Sequence, residues 1–119
     1  VDKVNLDEKL ARFSDHWHPR IIGELNGQHV KVVKLSGEFV WHHHDDADEL
    51  FLVLRGDLTI RLRDRDVRLG AGELFIVPRG VDHQPVAVGE VHVLLFEPAG
   101  TLNTGNVRSE RTVERLEQI

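Results

Sequence analysis

Cysteine, methionine and tyrosine are all absent from the 119 residues. Without cysteine there is no disulfide framework, no thiolate metal site, no redox CxxC pair and no cysteine nucleophile. Long apolar runs are missing too. No stretch approaches the roughly 18 to 20 residues that cross a bilayer, and the opening VDKVNLDEKL is too charged for the apolar part of a signal peptide. These absences predict a cytoplasmic protein with no membrane partner. Positive charge is also scarce, with 15 Lys and Arg against 20 Asp and Glu and a formal charge of −5. A broad phosphate-binding surface is therefore not expected, and nucleic acid is not an expected partner.

What is present is a globular composition, 40% hydrophobic and 29% charged, with 10 glycines and eight histidines in a length that suits one domain over residues 1–119. Leu6, Leu10, Phe13 and Trp17 recur at helical spacing and predict a short amphipathic N-terminal helix. From Ile21 to Pro98, short runs of Val, Ile, Leu and Phe alternate with turn signals such as Asn26-Gly27, Ser36-Gly37, Arg55-Gly56, Gly70-Ala71-Gly72 and Gly89-Glu90. Turns at roughly ten-residue intervals mark an all-β antiparallel sandwich or barrel of eight or nine strands. Ser109 to Ile119 leaves room for a short C-terminal helix. The hairpin carrying Arg61, Arg63, Arg65 and Arg68 also carries Asp57, Asp64 and Asp66, so it reads as a solvated edge and not as an anion site.

Two runs, Leu50–Leu54 and Val91–Phe96, are apolar at almost every position. A strand apolar on both faces needs cover on its outer side, which predicts a homodimer. Strand parity assigns Val40, Phe51, Val53, Phe75, Val77 and Phe96 to the inner face, forming an apolar cavity for a small-molecule ligand or substrate. His92 shares parity with Phe96 and is a candidate to hydrogen-bond a site ligand or to act as general base, with a plain buried histidine as the alternative. Glu97 through Gly105 reads as an extended polar loop that crosses to a partner subunit.

The chemistry concentrates in Trp41-His42-His43-His44-Asp45-Asp46-Ala47-Asp48-Glu49. On an extended strand His42 and His44 share a face while His43 points away. A bend through Asp45–Asp48 returns Glu49 to the same pocket, and His83, after the rigid Pro78-Arg79-Gly80 turn, is the natural fourth donor. Such a mixed nitrogen and oxygen set suits Mn, Fe, Co, Ni or Zn. A surface or hydrogen-bonded pair is the bland alternative for His42 and His44, and Asp45, Asp46 and Asp48 read as loop residues.

Gly37-x4-His42-x-His44-x4-Glu49-x6-Gly56 resembles the first motif of the cupin superfamily, and Gly72-x5-Pro78-x-Gly80-x2-His83 resembles the second, with 15 residues between them. Gly37 lies one residue closer to His42 than is usual, and Ala87 replaces the Asn that commonly closes the second motif. The chain is similar to small single-domain "cupin 2" proteins related to mannose-6-phosphate isomerase-type cupins. The resemblance implies a double-stranded β-helix, or jelly-roll, barrel at about 21–98. It also implies one divalent metal ion on His42, His44, Glu49 and His83, with open positions for substrate. A metal-dependent oxygenase, isomerase or lyase is the first functional expectation, and a metal-containing binding or sensing module is the second. His44-x-Asp46 also begins the pattern of a 2-oxoglutarate oxygenase, but the next Arg after His92 is Arg108, beyond the barrel strands. A phosphosugar isomerase would need cations near an apolar cavity, for which only Lys31, Lys34 and Arg55 are candidates.

Overall fold

The computed structural model describes residues 2–119. One short helix, α1 (Leu6–Leu10), precedes seven strands: β1 (Arg20–Leu25), β2 (Gln28–Glu38), β3 (Glu49–Arg55), β4 (Leu58–Leu62), β5 (Asp66–Leu69), β6 (Leu74–Val77) and β7 (His83–Pro98). A two-residue strand, β8 (Glu117–Gln118), follows. Hydrogen-bonded neighbours run β5-β4-β7-β2-β1-β8, and β3 pairs with both β6 and β7. The sheet does not close into a continuous ring, and the architecture is the jelly-roll type expected.

The long strands β2 and β7 form the spine, antiparallel from Gln28↔Pro98 to Glu38↔Val86 with a register shift between Leu35 and Gly37. The break bends the ribbon. On its free edge β7 takes β4 along residues 83–87 and β3 along residues 92–96. One strand thus serves two sheet halves that face each other. Asn26 and Gly27 close the β1–β2 hairpin with φ of 50° and 77°, the two positive values of a type I′ turn. Between the halves lies a core of Val33, Leu35, Phe51, Val53, Leu58, Ile60, Val77, Val91, Val93 and Leu95.

Three expectations are corrected. Asn5 caps α1 through its side chain, which accepts from the Glu8 amide at 3.0 Å, but the helix ends at Leu10 and does not reach Trp17. Ser14-Asp15-His16 are weak helix formers, and Trp17 gains more from burial than from helix. Its φ of 64° turns the indole into the barrel mouth, where it stacks on Phe39 at 4.6 Å and donates from Nε1 to the Ser36 carbonyl at 2.9 Å. No C-terminal helix forms. Residues 109–119 make turns and then β8, which lies parallel to β1. Finally, Phe96 faces outward. In the second half of β7 the buried positions are Val91, Val93, Leu95 and Glu97, so His92, Leu94 and Phe96 lie on the other face. An apolar run at every position carries no parity of its own, and the buried Glu97 sets it. Phe51, Val53 and Val77 are in the core as expected, with Val40 and Phe75 packed against it.

The N-terminal segment is also tied down at His16, whose ring meets Glu90 at 2.9 Å, while His92 meets the same carboxylate at 2.8 Å. Hydrogen bonds from His16 and then His92 lower the Glu90 pKa from 4.5 to about 2. A carboxylate depressed on folding stabilises the fold above its unfolded pKa and loses that contribution as pH falls through the folded value. The stability difference between wild type and Glu90→Gln should therefore be full at pH 5.5 and shrink steadily from pH 4.5 toward about pH 2. Urea midpoints across that window measure it. Trp17→Ala, which empties an aromatic stack at the barrel mouth, should cost about 3–5 kcal/mol in the same assay. A loss under about 1 kcal/mol would place Trp17 outside the cooperative core.

Candidate metal centre

The segment between β2 and β3 is held to β7 by two reciprocal backbone hydrogen bonds. The His42 amide donates to the His83 carbonyl at 3.0 Å, and the His83 amide donates to the His42 carbonyl at 2.9 Å. This antiparallel pair puts the two imidazoles side by side, with ring centroids 4.3 Å apart. His44, two residues on, shares the face of His42. Glu49 begins β3 opposite Val77 and presents its carboxylate to the same place. One ligating atom from each of His42, His44, Glu49 and His83 lies within 4.8 Å of the others, and all four residues are buried.

The donors are prepared as well as gathered. His42 Nδ1 donates to the Val40 carbonyl at 2.9 Å and His83 Nδ1 to the Val81 carbonyl at 3.0 Å. Each bond consumes the ring proton and leaves Nε2 with a free lone pair, the usual outer-shell arrangement of a ligating imidazole. Burial, helped by the neighbouring His83, lowers the His42 pKa to about 4, so this ring is neutral near pH 7. Burial disfavours the Glu49 charge, but polar contacts from His44, His83 and Glu97 outweigh it and hold the carboxyl well below its ordinary range. His44 Nε2 and His83 Nε2 approach Glu49 Oε1 at 3.3 and 3.4 Å, yet none of these three buried atoms has a hydrogen-bond partner. Buried polar atoms left unpaired are costly. An ion between them would satisfy all three, so the donor set fits a divalent metal.

The remaining histidines and acids are elsewhere. His43 points outward between Asp82 at 2.8 Å and Asp45 at 2.9 Å. Asp46 is exposed and outside the cluster, which removes the His44-x-Asp46 ligand pattern, and Asp48 accepts from the Arg79 amide at 2.9 Å. His92 lies on the outer face of the sheet beside Lys34 and Arg55, across the strand from the cluster. It is placed to touch Glu90 and not the candidate centre.

Behind the four donors lies a chamber of about 40 Å³ lined by Trp17, Val33, Phe39, Phe51, Leu95, Glu97 and Asn103, among others. Its polar floor was not legible as such in the sequence. Glu97, read as the start of a loop, is 1% exposed and accepts from Lys31 Nζ at 2.7 Å, with Lys31 also 1% exposed. Burial and then the Glu49 charge push the Glu97 carboxyl well up, against the pull of Lys31. Two buried carboxyls and one ammonium therefore share the site. The alternation Val91-Val93-Leu95-Glu97, facing Lys31-Val33-Leu35 across the ribbon, is the signal that finds this pair. Of the other two cations, Lys34 donates to the Phe13 carbonyl at 2.6 Å and, with Arg55, lines a groove on the outer face. The segment after β7 packs on its own barrel, with Asn103 in the chamber wall, instead of forming an extended loop.

Known proteins resemble this chain in sequence and fold. A cupin-2 domain containing protein from Shewanella frigidimarina is 45% identical, superposes with a TM-score of 0.79, and shares 80% of this chain and 93% of its own. YdbB, an uncharacterized protein of Bacillus subtilis, is 40% identical over 78 residues, which is 65% of this chain and 63% of YdbB. The 3-hydroxyanthranilate 3,4-dioxygenase of Xenopus laevis is 24% identical over 101 residues, covering 79% of this chain and 36% of the enzyme. The chain thus spans under two thirds of YdbB and about a third of the dioxygenase. The family model for the cupin domain matches residues 29–97, from the start of β2 through the buried Glu97, and takes in all four donors. This chain belongs to the Cupin_2 family of cupin-domain proteins.

Proposed function

We propose that residues 1–119 form one cupin domain that holds a divalent transition metal ion (Mn, Fe, Ni, Co or Zn) on His42, His44, Glu49 and His83, and that it turns over a small organic molecule. The observation that carries this reading is the convergence of buried donor atoms, three of them unpartnered, within 4.8 Å. A bound ion of this kind supplies Lewis acidity or, if it is Fe(II), access to dioxygen. Similarity to the dioxygenase supports oxygenase chemistry as the first class to test, before isomerase or lyase chemistry.

The chain's own residues define the rest. The Val40 and Val81 carbonyls hold His42 and His83 in the tautomer that ligates. Trp17, Phe39, Phe51 and Leu95 exclude bulk water from the chamber and strengthen the electrostatics within it. Glu97, whose carboxyl is pushed up by burial and by the Glu49 charge against the pull of Lys31, sets a second carboxyl beside the candidate ligand. With Lys31 engaged by Glu97, no unpaired lysine or arginine lines the chamber among the described residues, which disfavours a phosphosugar substrate.

A second reading is metal-dependent binding of a small molecule without turnover, which the same four residues would support. The chamber of about 40 Å³ holds only a few waters, so in either reading a ligand would need the cavity of about 330 Å³ beside His44, which is within the roughly 300–1,000 Å³ of ordinary ligand pockets. Metal analysis of reconstituted wild type should find about one ion per chain, with His42→Ala and Glu49→Ala both near zero. Equal emptiness in all three would reject the metal reading. With Fe(II) loaded, oxygen uptake coupled to consumption of an aromatic test substrate separates turnover from binding; saturable binding with no uptake and no product selects the second reading.

We also propose a cytoplasmic homodimer formed through the outer sheet face. Leu50, Leu52, Leu54, Leu94 and Phe96 are partly exposed there beside Leu74 and Ile76, which are 54% and 50% exposed. So broad an apolar surface calls for cover. Among the described residues, no helix is long and apolar enough to cross a membrane. Ile76→Glu changes a side chain outside the core, so it should yield a folded monomer where wild type is a dimer by light scattering. A monomeric wild type would reject this interface.

A further inference from the structure

We infer that Asn106 and Gly105 position the imidazoles of His42 and His44, so that the segment following β7 completes the candidate metal centre. The inference rests on the metal reading above. His42, His43 and His44 lie outside the regular strands, apart from the single bridge at His42. Their orientation therefore depends on where each backbone group finds its partner. His42 spends both of its groups on His83, and the His44 carbonyl accepts from the Gly80 amide at 2.8 Å. The middle residue is held from elsewhere. The Asn106 amide donates to the His43 carbonyl at 3.0 Å, and the His43 amide donates to Asn106 Oδ1 at 2.8 Å.

Gly105 brings this clamp into contact. Its φ is 56°, and a Cβ there would fall 2.1 Å from the His43 carbonyl oxygen and 3.1 Å from the His42 ring. Only glycine lets the segment lie so close to both. The clamp is itself anchored. The Asn103 side chain donates to the Arg111 carbonyl at 2.8 Å and accepts from the Val113 amide at 2.9 Å, and buried Thr104 pairs with Thr112 at 2.7 Å. On an extended backbone, rotation at one residue swings the side chains on both sides of it. Fixing the His43 peptide groups therefore fixes the directions of His42 and His44 together. None of the clamp residues lies within 29–97, so the cupin-matching region alone lacks this restraint.

The test uses the full chain and Co(II), whose visible bands report coordination geometry. Asn106→Ala should weaken Co(II) binding about tenfold or more and alter the band pattern, while the urea midpoint of the metal-free protein changes little. Asn106→Asp keeps an accepting oxygen for the His43 amide and should recover most of the affinity and the wild-type bands. Gly105→Ala should act in the same direction as Asn106→Ala, and because it risks misfolding the decision rests on the Asn106 pair. In metal-free protein, the His43 amide should exchange more slowly in wild type than in Asn106→Ala, and the His42 and His44 ring resonances should shift between them. Unchanged Co(II) affinity and bands in Asn106→Ala would overturn the inference, as would equal His43 exchange with unshifted rings. If wild type takes up no Co(II), the metal reading fails by itself, because the metal-free readouts still decide whether the clamp positions the rings.

Discussion

The reciprocal backbone pair between His42 and His83 is the constraint on which the site depends. Those two hydrogen bonds join residues 41 positions apart in the chain. They close the open end of the barrel where the segment before β3 would otherwise leave the sheet. Antiparallel partners that exchange both bonds present their side chains to one face. Hence one bridge sets two donors side by side, and Glu49 and His44 need only short local geometry to reach them.

Around this bridge the barrel pays a desolvation cost that only partnering can offset. Four buried donors, the Lys31–Glu97 pair and a core of valine, leucine and phenylalanine occupy one small interior. Lys31 and Glu97 compensate each other at 2.7 Å. Such a pair gives little net stability against well-packed apolar residues, whereas removing one partner strands the other charge. Its presence here is better understood through what it does to Glu49: it places a second carboxyl, with its proton affinity raised, beside the candidate ligand.

The bent β2–β7 ribbon explains how so short a chain builds two facing layers. Because β7 lends one edge to β4 and then to β3, both halves inherit the same inward positions. That continuity puts Val91, Val93, Leu95 and Glu97 on a single line leading to the candidate centre. The outer line, His92, Leu94 and Phe96, then falls on the exposed sheet face.

Much of this was legible residue by residue. Asn26-Gly27 specified a two-residue hairpin because its φ values demand those residues. The spacing of His42, His44, Glu49 and His83 pointed to the candidate donors because strand periodicity and turn rigidity are local properties, and the same spacing carried the likeness to cupins. Local pattern was silent wherever the deciding partner lay far along the chain. Trp17 followed helical spacing yet left the helix for Phe39 and the Ser36 carbonyl. The apolar run from Val91 to Phe96 had no face until Lys31 claimed Glu97, and residues after Pro98 had no direction until His43 offered them two backbone groups. The sequence by itself determined the strand periodicity, the turns and which residues are the candidate donors, which follow from steric preference and side-chain chemistry at short range. Tertiary structure alone decided which face is inner, what compensates the buried charges and what holds the donors in place, because each depends on pairing between segments whose contact exists only after folding.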